Sequence, residues 1–176
     1  MNARINLRSK RTRSVKRRHP WIFSGAIHAV HGKPAFGDTV AVYSNDGDFL
    51  AWGHYSPHSQ IRVRLFSWKE ADNGEDPAFW QRKLSRAIQA RQLIRTDSST
   101  TACRLVNAEN DGLPGLIVDI YQHVLVVQFL SAGMEARKQI LVELLWDLLS
   151  PQAIYERSDA DIRQKEGLTA QSGLLM

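Results

Sequence analysis

Residues 60–66, Gln-Ile-Arg-Val-Arg-Leu-Phe, alternate strictly between apolar and cationic side chains from Ile61 to Leu65. A period of two is that of a strand lying half on a core. Ile61, Val63 and Leu65 share one face, and Arg62 and Arg64 the other, toward solvent or a ligand. Two apolar stretches precede it, 39–44 and 49–55, separated by Asn-Asp-Gly-Asp. Asp46-Gly47 can supply the positive φ angles of a tight hairpin turn between them. Short strands with turn signals at such close spacing predict a small β-barrel.

Residues 69–77, Lys-Glu-Ala-Asp-Asn-Gly-Glu-Asp-Pro, are polar and turn-rich and read as a boundary. Beyond them the spacing of Trp80, Leu84, Ala87 and Ile88 predicts a helix over 79–94. A strand at 103–109, a turn at 110–115 and strands at 116–121 and 124–130 follow. The last is apolar almost throughout, which predicts burial on both faces. The pairs Ile140/Leu141, Leu144/Leu145 and Leu148/Leu149 predict a helix over 134–149, stopped by Pro151. Residues 153–157 read as a further strand, and 167–176 carry no strand or helix signal. The fold class is α+β: a small β-barrel, then an incomplete strand-strand-helix-strand domain. The expected division is 1–70, a linker at 71–77, and 78–176. Strands left without neighbours would expose an edge and permit self-association, and 75–176 should be less stable than 1–70.

Hydrophobic residues make up 43% and charged residues 23% of the 176, a globular composition. No apolar run approaches the roughly 20 residues of a bilayer span, so no membrane partner is expected. The basic start lacks the apolar stretch of a secretory signal. The single cysteine, Cys103, suits a reducing cytoplasm. Net charge is +5, but residues 1–20 hold eight cations and no acid. They are Arg4, Arg8, Lys10, Arg11, Arg13, Lys16, Arg17 and Arg18. The remainder carries fifteen basic against eighteen acidic groups, a balance of −3. Such asymmetry points to a polyanion, or else to a solvated basic tail. A basic membrane helix fits less well, because Arg17-Arg18-His19-Pro20 leads into strand-like residues.

Catalytic patterns are missing. There is no G-x-G-x-x-G, no G-x-x-x-x-G-K and no G-x-S-x-G. Asn107-Ala-Glu-Asn-Asp-Gly112 resembles a calcium loop, but its twelfth position is Val118 where a glutamate is needed, so it reads as a polar turn. His28/His31 and His54/His58 lie in turn- and strand-like text without a third ligand, so no metal is expected. Cys103 reads as an inert, buried thiol rather than a nucleophile. No catalytic or cofactor-binding residue is assigned.

The stretch 17–27, RRHPWIFSGAI, followed by GDTVAVYSNDGDFLAWGHYSPHSQIRVRLF at 37–66, resembles a PUA domain, a compact RNA-binding barrel. More narrowly, it resembles the one opening the ribosomal RNA cytosine-C5 methyltransferases of the large-subunit methyltransferase I type. RLVNAENDGLPGLIVDIY, LVVQFLSAG and IYERSDADIRQKEGL continue the resemblance through that family's middle domain, in the same order. The family's C-terminal Rossmann-type domain binds S-adenosylmethionine and carries the nucleophilic cysteine. The chain is expected to stop before it and to be inactive alone. Cys103 falls in the middle domain and is not that nucleophile.

The resemblance implies large-subunit ribosomal RNA as partner. The residues assigned to RNA are Lys16, Arg17, Arg18, His19, Trp21, Ser24, Gly25, Arg62 and Arg64. Cations would hold phosphates, and an exposed ring would stack on a base. For Trp21 and Phe23, which share a face across Ile22, packing inside the barrel is the favoured reading. Arg157, Ser158, Asp159 and Arg163 are expected to orient the interdomain linker. A stand-alone RNA- or ribosome-binding module, and DNA binding through the basic arm, remain the other readings.

Overall fold

The computed structural model describes residues 3–97 and 99–176. Two sheets are built one after the other along the chain. The first contains β1 (Ala3–Leu7), β2 (Trp21–Phe23), β3 (Ile27–His31), β4 (Thr39–Tyr43), β5 (Phe49–Tyr55) and β6 (Ile61–Ser67), in the order β2-β6-β5-β4-β1-β3. It curls around Ile5, Leu7, Val40, Val42, Val63 and Leu65, a half-barrel with its own core. The second holds β7 (Ala102–Asn107), β8 (Leu116–Tyr121), β9 (Val124–Phe129), β10 (Ala153–Ser158) and β11 (Gln171–Leu174), in the order β11-β10-β9-β8-β7. The architecture is α+β, as the sequence indicates.

The helices are α1 (Thr12–Lys16), α2 (Pro77–Gln89), α3 (Gln92–Arg95), α4 (Ala132–Ala136), α5 (Lys138–Leu149) and α6 (Ile162–Glu166). α2 starts where it does because the Asp76 carboxylate accepts the Ala78 N–H and Pro77 takes the first turn. α2 and α5 lay Phe79, Trp80, Leu84, Leu141 and Leu145 on the second sheet, against Leu125, Val127 and Phe129. α5 is the crossover that makes β9 and β10 parallel.

Several sequence expectations need correction. The helix expected over 79–94 breaks after Gln89 and resumes as α3, and the one over 134–149 breaks at Arg137. Periodicity alone does not register such breaks. In the β4–β5 hairpin only Gly47 has a positive φ, at 96°. β9 alternates, with Val124, Val126 and Gln128 half-buried, because helices cover one face of that sheet. The last ten residues do contain a strand: β11 pairs antiparallel with β10, Tyr155 opposite Leu174. β11 thus takes the edge of β10 and becomes the last strand of the sheet itself, and nothing in the structure supports self-association.

The two sheets are not independent. On β5 and β6 the face away from the barrel core carries Trp52, His54, Arg64 and Phe66. Phe66 is a member of the second core, and Trp52 packs against it. The His54 ring lies 4.6 Å from Phe66 and 5.5 Å from Trp80. Gly133 in α4 faces this ring so closely that any Cβ would overlap it.

Candidate nucleic-acid interface

The basic entrance is fixed to the barrel at three points. Val15 inserts from α1 into the first core. The Trp68 indole N–H donates to the Val15 carbonyl at 2.9 Å, and Pro20 accepts from the Leu65 N–H at 2.7 Å. The chain leaves α1 through Arg18, whose φ of 63° is left-handed, and its N–H returns to the Val15 carbonyl at 2.8 Å. Glycine is the low-strain residue at such a helix end.

Between α1 and β2 runs a groove of about 1050 Å³, lined by Lys10, Arg11, Arg13, Arg17, Arg18 and His19 on one side and Trp21, Phe23 and Gly25 on the other. None of these cations, nor Lys16, has a carboxylate partner among the described residues. Their charge therefore faces outward, uncompensated. Ile22, not its neighbours, enters the barrel core, and Phe23 is 49% exposed. The favoured expectation that Trp21 and Phe23 pack the barrel is thus overturned. β2 is an edge strand paired only with β6, and its outer face lies open beside α1.

His19, Trp21 and Phe23 form an aromatic row, with edge-on centroid separations of 5.8 and 6.4 Å. His19 Nδ1 accepts the Trp21 N–H at 3.2 Å. The Trp21 indole N–H donates to Glu109 Oε1 at 2.8 Å, and Arg64 Nη1 donates to the same oxygen at 2.8 Å. Ser24 Oγ is bonded to Gln60 Oε1 at 3.1 Å. Gly25 is exposed, with open space where a Cβ would stand.

Arg62 and Arg64 do not present guanidiniums to solvent. Arg62 turns back onto the carbonyls of Ser56 and Pro57. Arg64 is 6% exposed and bridges Glu109 and Glu166, at 2.8 and 2.9 Å. Alternation placed them correctly off the barrel core, but that face is covered by the second sheet and its helices. Arg163 is likewise buried, bonded to the carbonyls of Thr169 and Phe129 and to Glu135. Ser158 Oγ accepts the Phe129 N–H at 2.9 Å, while Arg157 and Asp159 meet at the surface. Ser158 thus ties β10 to β9 and Arg163 ties α6 to α4 and the end of β9, and none of these bonds reaches the linker.

Other candidates are accounted for structurally. Residues 108–111 form a 3-10 turn whose Asp111 is held by Arg91, at 2.7 and 2.9 Å. Among the described residues no three His, Cys, Asp or Glu side chains are grouped to hold a metal, and no helix is long and apolar enough to cross a membrane. Cys103 is half-buried on β7, against the second core. Lys10, Arg11, Arg13 and Phe23 were missed as groove residues, although the charge run contained the first three.

The half-barrel defines a protein carrying a PUA-like domain, and the family model for the PUA-like domain matches residues 5–68. Over 175 residues the chain is 45% identical to the ribosomal RNA large subunit methyltransferase I of Pseudoalteromonas translucida. It is 42% and 44% identical to the proteins of that name from Alteromonas mediterranea and Aliivibrio fischeri. The chain is therefore homologous, along 99% of its length, to the ribosomal RNA large subunit methyltransferase I proteins, and it spans 44% of theirs. Among solved structures, a candidate SAM-dependent methyltransferase from Streptococcus mutans superposes on the whole chain with a TM-score of 0.80 at 17% identity. A candidate methyltransferase complexed with SAH does so at 0.81 and 17%. In each the chain covers 43% of the solved one, and at that identity the likeness is one of fold.

Proposed function

We propose that this chain binds large-subunit ribosomal RNA through the α1–β2 groove. In this reading it is the N-terminal, RNA-binding portion of a cytoplasmic S-adenosylmethionine-dependent ribosomal RNA (cytosine-C5) methyltransferase. Residues 1–70 form the RNA-binding unit, 71–77 the link and 78–176 the second unit. One observation carries the reading: unpaired cations, from Lys10 to Arg18, stand beside an outward aromatic row at Trp21 and Phe23. Phosphate contacts give affinity without sequence, and exposed rings add stacking on splayed bases. Lys16, Arg17, Arg18, His19, Trp21, Ser24 and Gly25 are the RNA-facing set. Arg64 supports it from behind the Trp21 ring, while Arg62 is turned onto the 56–57 carbonyls.

The test is binding to large-subunit ribosomal RNA fragments over a salt series, with Arg17→Ala/Arg18→Ala alongside. Steep salt dependence, reduced in the variant, is expected. Negligible binding at moderate salt removes the reading. Methyl transfer by the chain alone is not expected, and its detection would move catalysis into these residues. A stand-alone RNA- or ribosome-binding module is the second reading, since the unpaired cations and the aromatic row both lie within the PUA-like residues 5–68.

A further inference from the structure

A second cationic cleft opens where the two sheets meet. It measures about 570 Å³, has Phe66 and Phe79 among its walls, and is rimmed by Arg18, Lys69, Arg82 and Arg86. At its back the Lys83 ammonium is held by the Phe66 and Gly112 carbonyls, at 2.6 and 2.9 Å. Both acids on its wall are engaged: Asp111 by Arg91, and Asp72 by the Ser67 hydroxyl. The four rim cations have no carboxylate partner among the described residues.

This arrangement carries local costs. Arg82 and Arg86 stand one turn apart on α2, a spacing at which like charges weaken a helix. Arg18 occupies a left-handed backbone position that suits glycine. Arg18 lines both the α1–β2 groove and this cleft, so the two positive surfaces meet at one side chain. Arg82 lies 6.0 Å from the Phe79 ring and Arg18 lies 6.0 Å from the Trp68 ring, which leaves both guanidiniums at an aromatic surface.

We infer that the cleft is a phosphate track for single-stranded RNA, which leaves the α1–β2 groove at Arg18 and crosses the junction toward Arg82 and Arg86. The inference rests on the RNA-binding reading and adds to it the course of the strand. A concave site of this volume, with cations around an apolar wall, admits one flexible chain carrying bases. A stiff duplex would meet the rim alone.

The test uses the whole chain and labelled single-stranded fragments of large-subunit ribosomal RNA, one short and one more than twice its length. Arg82→Ala/Arg86→Ala is compared with Arg13→Ala/Arg17→Ala, all four sites being exposed. For the long strand, losing two phosphate contacts should flatten the slope of log affinity against log salt by about 1.4. Affinity should fall roughly tenfold at moderate salt, with little change for the short strand. If only Arg13→Ala/Arg17→Ala weakens binding, the cleft is off the RNA path and the groove reading stands. If neither pair weakens it, both fail together. Preference for an acidic peptide over RNA, lost in Arg82→Ala/Arg86→Ala, would overturn the track in favour of a protein partner.

Discussion

Arg64 on β6 and Glu166 on α6 lie 102 residues apart in the chain and 2.9 Å apart in space. Both are sealed from water, with side chains 8% and 1% exposed. Breaking a buried pair from one side leaves a charge in a medium that cannot solvate it. Arg64→Ala is expected to cost about 3–5 kcal/mol in urea unfolding. Arg64→Met/Glu166→Leu, which removes both charges, should recover most of that loss. Equal damage in the two variants would mean the contribution is packing, not charge.

His54 gives stability an acid limit. Its ring is enclosed by Phe66 and Trp80, neither nitrogen has a partner among the described residues, and burial, aided by Arg137, pushes its pKa well below the usual 6.5. The unfolded chain takes a proton near pH 6.5 and the folded chain does not. Stability is therefore full above that pH and falls as pH drops beneath it, by at most about 1.4 kcal/mol per pH unit. Urea midpoints at pH 7 and pH 5 should separate less in His54→Phe than in the parent.

Lys83 acts at the other end of the scale. Burial lowers its pKa from 10.5 to about 8, against the pull of Asp72. Between those values the unfolded chain holds the proton that the folded chain has lost. Its contribution to stability therefore rises with pH from about 8 to 10.5. Subtracting the profile of Lys83→Met from that of the parent should isolate this rise. A flat difference would contradict the burial argument.

Arg18 should show stability and binding moving in opposite directions. Relief of its left-handed backbone is worth roughly 1–2 kcal/mol, offset by about 0.5–1 kcal/mol of added chain entropy in glycine. Arg18→Gly is thus expected to raise thermal stability slightly and to weaken RNA binding. A variant that loses both would show that the side chain braces the fold.

Much of this was legible in the residues, and the failures share a cause. Val63 and Leu65 face the barrel core as their period of two requires, and Asp76-Pro77 marks the start of α2. Alternation assigns a residue to a face but says nothing about what covers that face. Arg64 was placed on the correct side and still misjudged, because Glu166 comes from an element 102 residues away. Trp21 and Phe23 were misjudged in reverse, since β2 is an edge strand that sends Ile22 into the core, leaving Phe23 open and Trp21 only partly covered, by Glu109. β11 was invisible because Gln-Ser-Gly-Leu has no strand character until β10 offers it a ladder. Hydrogen-exchange protection compared between 1–70 and 75–176, which share Phe66, tests the expected weakness of the second. The cationic cleft was hidden for the same reason, its rim being assembled from three separate stretches.

Glu109 has a consequence for how the molecule is dissected. One carboxylate oxygen of the second half accepts from both the Trp21 indole and Arg64 of the first. A PUA-like fragment expressed by itself would keep every cation of α1 and lose the anchor of its foremost tryptophan. Its ring would turn freely, and each stacked base would then have to immobilise it. Affinity measured on such a fragment would understate that of the intact chain, without a single RNA-facing residue having been removed.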